Sequence, residues 1–61
     1  MQQQITFEDL DAKCMGLAFV RREGGVVGLA LNLVGVGDFR VYLAPEKARE
    51  LAEALIRAAH P

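Results

Sequence analysis

Three polar side chains with complementary chemistry share one face of the sheet that this sequence predicts. Asn32 carries an amide that donates and accepts hydrogen bonds, Arg40 carries a forked guanidinium, and Tyr42 carries a phenol with a ring face. In the strand register predicted below, they lie beside a flat floor of glycine and alanine. This combination suits a small anion or a nucleotide. One hypothesis is therefore a ligand-binding or sequestering module that uses Asn32, Arg40 and Tyr42.

The same small residues also suit a contact between two copies of the chain. Small side chains let two sheets approach closely, and Tyr and Arg are favoured at protein interfaces. A solvated sheet face would instead carry Lys, Glu and Thr at these positions. We favour this second hypothesis, in which the face forms a homodimer interface. The predicted interface residues are Gly16, Ala18, Val20, Gly28, Ala30 and Asn32.

The other candidates for chemistry lack the partners that catalysis or metal binding needs. Cys14 has no histidine near it in the sequence to activate a thiolate, and His60 is next to the last residue. The acidic residues Glu8, Asp9 and Asp11 lack the spacing and the glycine of a calcium loop. We therefore predict no catalytic residue, no metal site, no cofactor and no enzymatic activity.

Composition argues against nucleic acid and membranes as partners. The formal net charge is −1 and the sequence pI is about 5.7, so no overall attraction to phosphate is expected. Arg21 and Arg22 lie beside the first predicted turn and Arg40 beside the second. The apolar residues 26–36 are too few and too interrupted to span a bilayer. With no visible signal peptide and one cysteine, we expect a soluble cytoplasmic protein.

Hydrophobic periodicity predicts the elements that position these residues. Apolar residues recur at every second position in most of the chain, which is typical of strands, and at a spacing of about 3.6 after Pro45, which indicates a helix. The expected fold class is α+β, in one small domain: an antiparallel meander of three long strands and a short N-terminal strand, with a C-terminal amphipathic helix on one face. The predicted strands are 3–7, 14–22, 26–34 and 38–43, and the predicted helix is 45–59. An apolar stripe on that helix, the helix stripe, comprises Ala48, Leu51, Ala52, Leu55, Ile56 and Ala59.

The glycine-containing turns predict the strand register. Three-residue loops at 23–25 and 35–37 place Phe19 opposite Leu29 and gather the bulky side chains on one face, which the helix stripe is expected to cover. A two-residue first loop would instead set Asn32 among the bulky residues, and burying its amide unpaired costs about 1–3 kcal/mol. Each three-residue loop also ends in glycine, which tolerates the left-handed conformation needed there.

Chain length favours self-association as the source of additional stability. A chain of 61 residues forms one domain that hides only about 60% of the surface exposed on unfolding. A single cysteine cannot form an internal disulfide, so oligomerisation remains. We expect a small non-enzymatic interaction or regulatory protein, a homodimer that binds another macromolecule. The alternative is the ligand-binding module described above.

Overall fold

The computed structural model of the chain describes residues 2–61, which form one antiparallel sheet and one helix. The strands are β1 (Gln2–Asp9), β2 (Cys14–Glu23), β3 (Val26–Leu33) and β4 (Gly37–Leu43), and the helix is α1 (Pro45–Ala59). Each strand pairs with its neighbour in the chain, in the order β1-β2-β3-β4. This confirms the predicted α+β meander with a C-terminal helix, although β1, at 8 residues, is longer than expected.

The turn after β1 begins later than the sequence suggested. The predicted first strand ends at residue 7, whereas β1 continues to Asp9 and the turn occupies residues 10–13. The Asp9 side chain organises this turn, because its Oδ1 accepts a hydrogen bond from the Asp11 backbone N–H at 3.2 Å. The Asp9 carbonyl accepts another from the Lys13 N–H at 2.7 Å. Lys13 adopts a left-handed conformation, with φ of 56°.

The register predicted for the first hairpin is wrong. Glu23 pairs with Val26, so the loop contains only Gly24 and Gly25, and Phe19 pairs with Ala30 rather than with Leu29. Gly24 has φ of 62°. A left-handed glycine at the first position of a two-residue loop forms a tight turn whose twist matches that of the flanking strands. The turn therefore determines the register.

The second hairpin has a three-residue loop, one position earlier than predicted. Leu33 pairs with Gly37, so the loop comprises residues 34–36, and Gly35 supplies the left-handed conformation with φ of 81°. The loop is closed by a hydrogen bond of 3.0 Å from the Val36 N–H to the Leu33 carbonyl. Moving the loop by one residue shifts the pairing by two. Side chains therefore keep the faces predicted for them on β4, although their direct partners change.

The observed register separates an apolar face of the sheet from a polar face. Residues opposite one another on paired strands share a face, and successive residues alternate. The apolar face carries Ile5, Phe7, Cys14, Gly16, Ala18, Val20, Val27, Leu29, Leu31, Leu33, Gly37, Phe39, Val41 and Leu43, with Gln3, Asp9 and Arg22 near its margins. The polar face carries Gln2, Gln4, Thr6, Glu8, Arg21, Glu23, Asn32, Asp38, Arg40 and Tyr42, together with Met15, Leu17, Phe19, Val26, Gly28 and Ala30. The polar residues of β1 and β4 therefore share one face. In the predicted register, which pairs the bulky residues of β2 with those of β3, they would lie on opposite faces.

The helix packs against β3 and β4 through its first turns. Pro45 and Ala48 are half-buried there. Farther along, Leu51, Leu55 and Ile56 are 41%, 63% and 64% exposed, so the expectation that the helix stripe is covered by the sheet is wrong. Among the described residues, no hydrophobic side chain is buried. The single chain therefore has a fold but not a closed core.

Candidate functional site

A shallow cleft of about 250 Å³ lies on the polar face between two arginines. Two adjacent rows of the sheet build it. In one row Arg21, Gly28 and Tyr42 lie side by side on β2, β3 and β4, and in the next row Ala30 pairs with Arg40. The residues that line the cleft are Gln2, Phe19, Arg21, Gly28, Ala30, Arg40 and Tyr42.

Gly28 forms the floor of the cleft, and its lack of a side chain determines the shape. A β-carbon at this position would lie 3.3 Å from Cε1 of Tyr42 and 3.7 Å from Cγ of Arg21. The tyrosine ring and the arginine stem therefore approach the Gly28 backbone closely from the two neighbouring strands. Gly28 is buried beneath them, while Tyr42 stays 53% exposed. Glycine here permits close packing that a larger residue would disturb.

The two arginines differ in their electrostatic surroundings. Arg21 Nη2 lies 2.6 Å from Glu23 Oε2, an exposed ion pair. The hydrogen bond to Glu23 and its negative charge, with a smaller contribution from Tyr42, raise the pKa of Arg21 above its ordinary value. Within residues 2–61, no side-chain hydrogen bond or ion pair engages Arg40. Arg40 is thus the guanidinium whose donors are available to an incoming anion.

Asn32 occupies the row beyond Arg40 and already has a partner. Its Nδ2 donates a hydrogen bond to Oδ1 of Asp38, directly opposite on β4. Asn32 borders a second hollow of about 270 Å³ that shares Phe19, Ala30 and Arg40 with the cleft. The predicted ligand trio of Asn32, Arg40 and Tyr42 therefore shares one face, but only Arg40 and Tyr42 line the cleft.

The sequence interpretation missed Arg21, Phe19 and Gln2, and the reason is the register. With a three-residue first loop, Arg21 would fall on the face opposite Gly28. The signal that would have placed it correctly is the pair Gly24-Gly25, which suits a two-residue turn. Gln2 was missed because the predicted first strand began one residue later.

The structure divides the predicted interface residues between the two faces of the sheet. Gly16 is buried under Phe7 and Leu33, and Gly28 under Tyr42, so intrachain contacts already cover both glycines. The expectation that the set forms one small-residue face is wrong, because the register moves β2 by one residue relative to β3. Gly16, Ala18 and Val20 lie on the apolar face, and Gly28, Ala30 and Asn32 lie on the polar face.

The remaining candidates stay apart from the cleft. Cys14 is a half-buried free thiol at the start of β2. In the part of the chain that the structure describes, no three His, Cys, Asp or Glu residues cluster in a way that could hold a metal ion. The same residues include no helix with the length and apolar character needed to span a membrane. Comparison with protein-family models, curated proteins and solved structures gives no match to this chain.

Proposed function

We propose that this chain is a non-catalytic interaction protein of the cytoplasm, which works as a homodimer and binds another macromolecule as a regulator or accessory subunit. One observation carries the proposal: within residues 2–61, the single chain buries no hydrophobic side chain. Burial of apolar surface is the dominant favourable term in folding. A second copy of the chain supplies the missing cover.

The exposed area of the chain supports a second copy quantitatively. The accessible surface is 5018 Å², whereas a compact monomer of 6.7 kDa exposes about 3,900 Å². The excess is about 1,100 Å² per chain by the same scaling. Two copies that hid this excess from water would bury about 2,200 Å² in total, within the range of obligate homodimers, about 2,000–5,000 Å².

The shape of the chain supports the same conclusion. The radius of gyration is 12.5 Å, whereas a compact domain of 61 residues has about 10.5 Å. The extents of 34 × 29 × 16 Å describe a flat body. A flat body gains compactness when it stacks on a copy of itself, and a twofold axis lets one surface patch meet the same patch on the partner.

The apolar face and the helix stripe are the surfaces that a second copy would cover. Ile5, Phe39 and Val41 are 57%, 56% and 47% exposed on the apolar face, and Leu55 and Ile56 are exposed on the helix. Contiguous exposed apolar surface of this kind marks an interaction site in proteins. The assignment keeps the half of the predicted interface that lies on the apolar face, Gly16, Ala18 and Val20, and leaves out Gly28, Ala30 and Asn32 on the polar face.

The polar face would remain outward in such a dimer and would contact the macromolecular partner. It presents Arg40 and Tyr42 close together, with Phe19 half-buried between neighbouring strands. Arg and aromatic residues are enriched at protein interfaces because they combine large contact area with directed hydrogen bonds. One free thiol, that of Cys14, is in keeping with a reducing compartment.

The absolute mass in solution, measured by light scattering behind a sizing column over a range of concentrations, tests the proposal. We expect twice the chain mass throughout the range in which the sheet and helix signals of circular dichroism persist. A folded monomer with a cooperative thermal transition would refute the dimer. The partner is tested separately: proteins captured from the native host by wild type should be lost with Arg40→Gln and retained with Arg49→Gln, which removes the same charge from the exposed side of α1 outside the helix stripe.

A further inference from the structure

We propose that the cleft over Gly28 binds a small molecule that joins an acidic group to a planar ring, of the chemical class of nucleoside monophosphates. The cleft is formed entirely within one chain, so the inference goes beyond the homodimer and does not depend on it. A bound ligand would lie in the surface assigned above to the macromolecular partner. The site would then couple the presence of a small ligand to that contact.

Arg40 is the anchor for the acidic group. Its guanidinium has no side-chain partner within residues 2–61, and a guanidinium binds phosphate through two parallel hydrogen bonds. Arg21 lines the other side of the cleft. It donates to Glu23 through Nη2, but a guanidinium has five N–H donors, so the others remain for a second anion oxygen.

Two carboxylates lie near these arginines without lining the cleft. Glu23 is paired with Arg21 and largely balances its charge, whereas Asp38 accepts a hydrogen bond from the neutral Asn32 amide and keeps its charge beside the second hollow. Arg40 has no ion-pair partner within residues 2–61, so it carries the uncompensated positive charge of the cleft.

The floor and the aromatic side chains suit the planar ring. Ala30 leaves a low surface beside the Tyr42 ring, which itself lies over Gly28. Phe19 lies in the row of Ala30 and provides a second aromatic side chain. An aromatic ring can stack on such side chains, and the Gln2 amide at the edge of the cleft can donate to or accept from the ring edge.

The volume of the cleft limits the size of the ligand. At about 250 Å³ it lies just below the usual range for small-molecule sites, about 300–1,000 Å³. The second hollow continues the cleft past Ala30 but is bordered by Asp38, whose negative charge disfavours the further phosphates of an extended strand. This favours a free mononucleotide over a nucleic acid, in agreement with the net charge of −1.

Titration of the full chain, followed by backbone amide chemical shifts, tests the assignment. The probes are AMP, GMP, CMP and UMP, with adenosine and inorganic phosphate as the separate halves and a thymidine oligonucleotide as the extended alternative. We expect at least one mononucleotide to shift the amides of Phe19, Gly28, Ala30 and Tyr42 together, more strongly than either half. No response to any mononucleotide, or a response centred on the helix, would overturn the proposal.

Two arginine variants distinguish a built site from general charge attraction. Arg40→Gln should weaken mononucleotide binding by about tenfold, since one charge-assisted hydrogen bond is worth about that factor. Arg49→Gln removes the same charge from α1, outside both the cleft and the helix stripe, and should leave binding unchanged. Equal losses in both variants would overturn the site, as would an oligonucleotide that binds far more tightly than every mononucleotide. The spectra show whether each variant is folded. Light scattering on the same samples gives the oligomeric state, so loss of the dimer is distinguished from loss of mononucleotide binding.

Discussion

The ring of Phe7 lies directly over Gly16 on the neighbouring strand. A β-carbon at position 16 would lie 2.7 Å from Cε2 of Phe7 and 2.9 Å from Cδ2 of Leu33. Real β-carbons essentially never approach another atom so closely, so the absence of a side chain at Gly16 is a packing requirement. The contact joins β1, β2 and β3 on the apolar face.

Gly16→Ala should therefore lower the free energy of unfolding by about 1–3 kcal/mol, because Phe7 and Leu33 must both move to admit the methyl group. Gly25→Ala is the matched control, since a β-carbon there meets no atom within 4 Å and Gly25 lacks a positive φ. It should be neutral or slightly stabilising. Urea denaturation of both variants gives the comparison, and equal midpoints would show that the Phe7 contact is not close-packed.

Two identical substitutions on the helix test the proposed dimer surface. Ala52 lies in the helix stripe, three and four residues before Leu55 and Ile56, whereas Ala54 lies near Glu50 and Arg57. Both alanines are exposed in the single chain. Ala52→Glu should convert the dimer to a monomer at micromolar concentration and Ala54→Glu should not, because only the first places a charge in the apolar contact. The mass from light scattering is the readout.

The contribution of the polar face to assembly is tested by a third substitution of the same kind. Ala30→Glu places the new charge beside Arg40 on the polar face. If the apolar face and helix stripe form the interface, this variant should stay dimeric. Loss of the dimer with Ala30→Glu but not with Ala52→Glu would place the interface on the polar face instead.

The left-handed conformation of Lys13 makes a stabilising substitution available. A non-glycine residue there costs about 1–2 kcal/mol, and glycine avoids this at an entropic cost of about 0.5–1 kcal/mol. Lys13→Gly should raise the free energy of unfolding by about 0.5–1 kcal/mol. Lys13→Ala removes the same charge but keeps the β-carbon, so it should give no gain. A gain with alanine equal to that with glycine would assign the effect to charge rather than to the backbone.

The Asn32–Asp38 pair should give a pH-dependent variant. Asn32→Asp replaces the donor with a carboxylate directly opposite Asp38, and like charges at this separation destabilise a sheet by about 0.2–1 kcal/mol. The repulsion exists only while both carboxylates are ionised, so the loss of stability relative to wild type should be present at neutral pH and disappear in acid. Thermal unfolding at several pH values, with Asn32→Ala as the uncharged control, provides the measurement.

The number, type and order of the elements were predictable from local pattern. The switch from a two-residue to a 3.6-residue period at Pro45 places the helix at residues 45–59, where the structure has it. The register of the first hairpin does not follow from matching bulky side chains on β2 and β3, because that match leaves the polar residues of β1 and β4 out of account. The energetic penalty expected for Asn32 is also absent, since Asp38 accepts its hydrogen bond.

The candidate site was only partly predictable for the same reason. Arg40 and Tyr42 lie two residues apart on β4, so any register keeps them on one face. Arg21 joins them only through the two-residue turn at Gly24 and Gly25, which moves β2 by one residue relative to β3. The exposure of the helix stripe could not be anticipated either, because amphipathic periodicity shows that a stripe needs cover without showing which chain supplies it.

The meander order β1-β2-β3-β4 bears on how the protein acquires its structure. Every strand pairs with its immediate neighbour in the chain, across short turns. Short loops close within about 10–100 ns and hairpins form in about 1–10 μs, so the sheet can assemble as each hairpin becomes available. Encounter between two chains, a second-order event, would then be the slow step for a homodimer. The rate at which the native dimer forms would depend on the local concentration of newly made chains. Chains translated from the same mRNA would meet faster because they are close together.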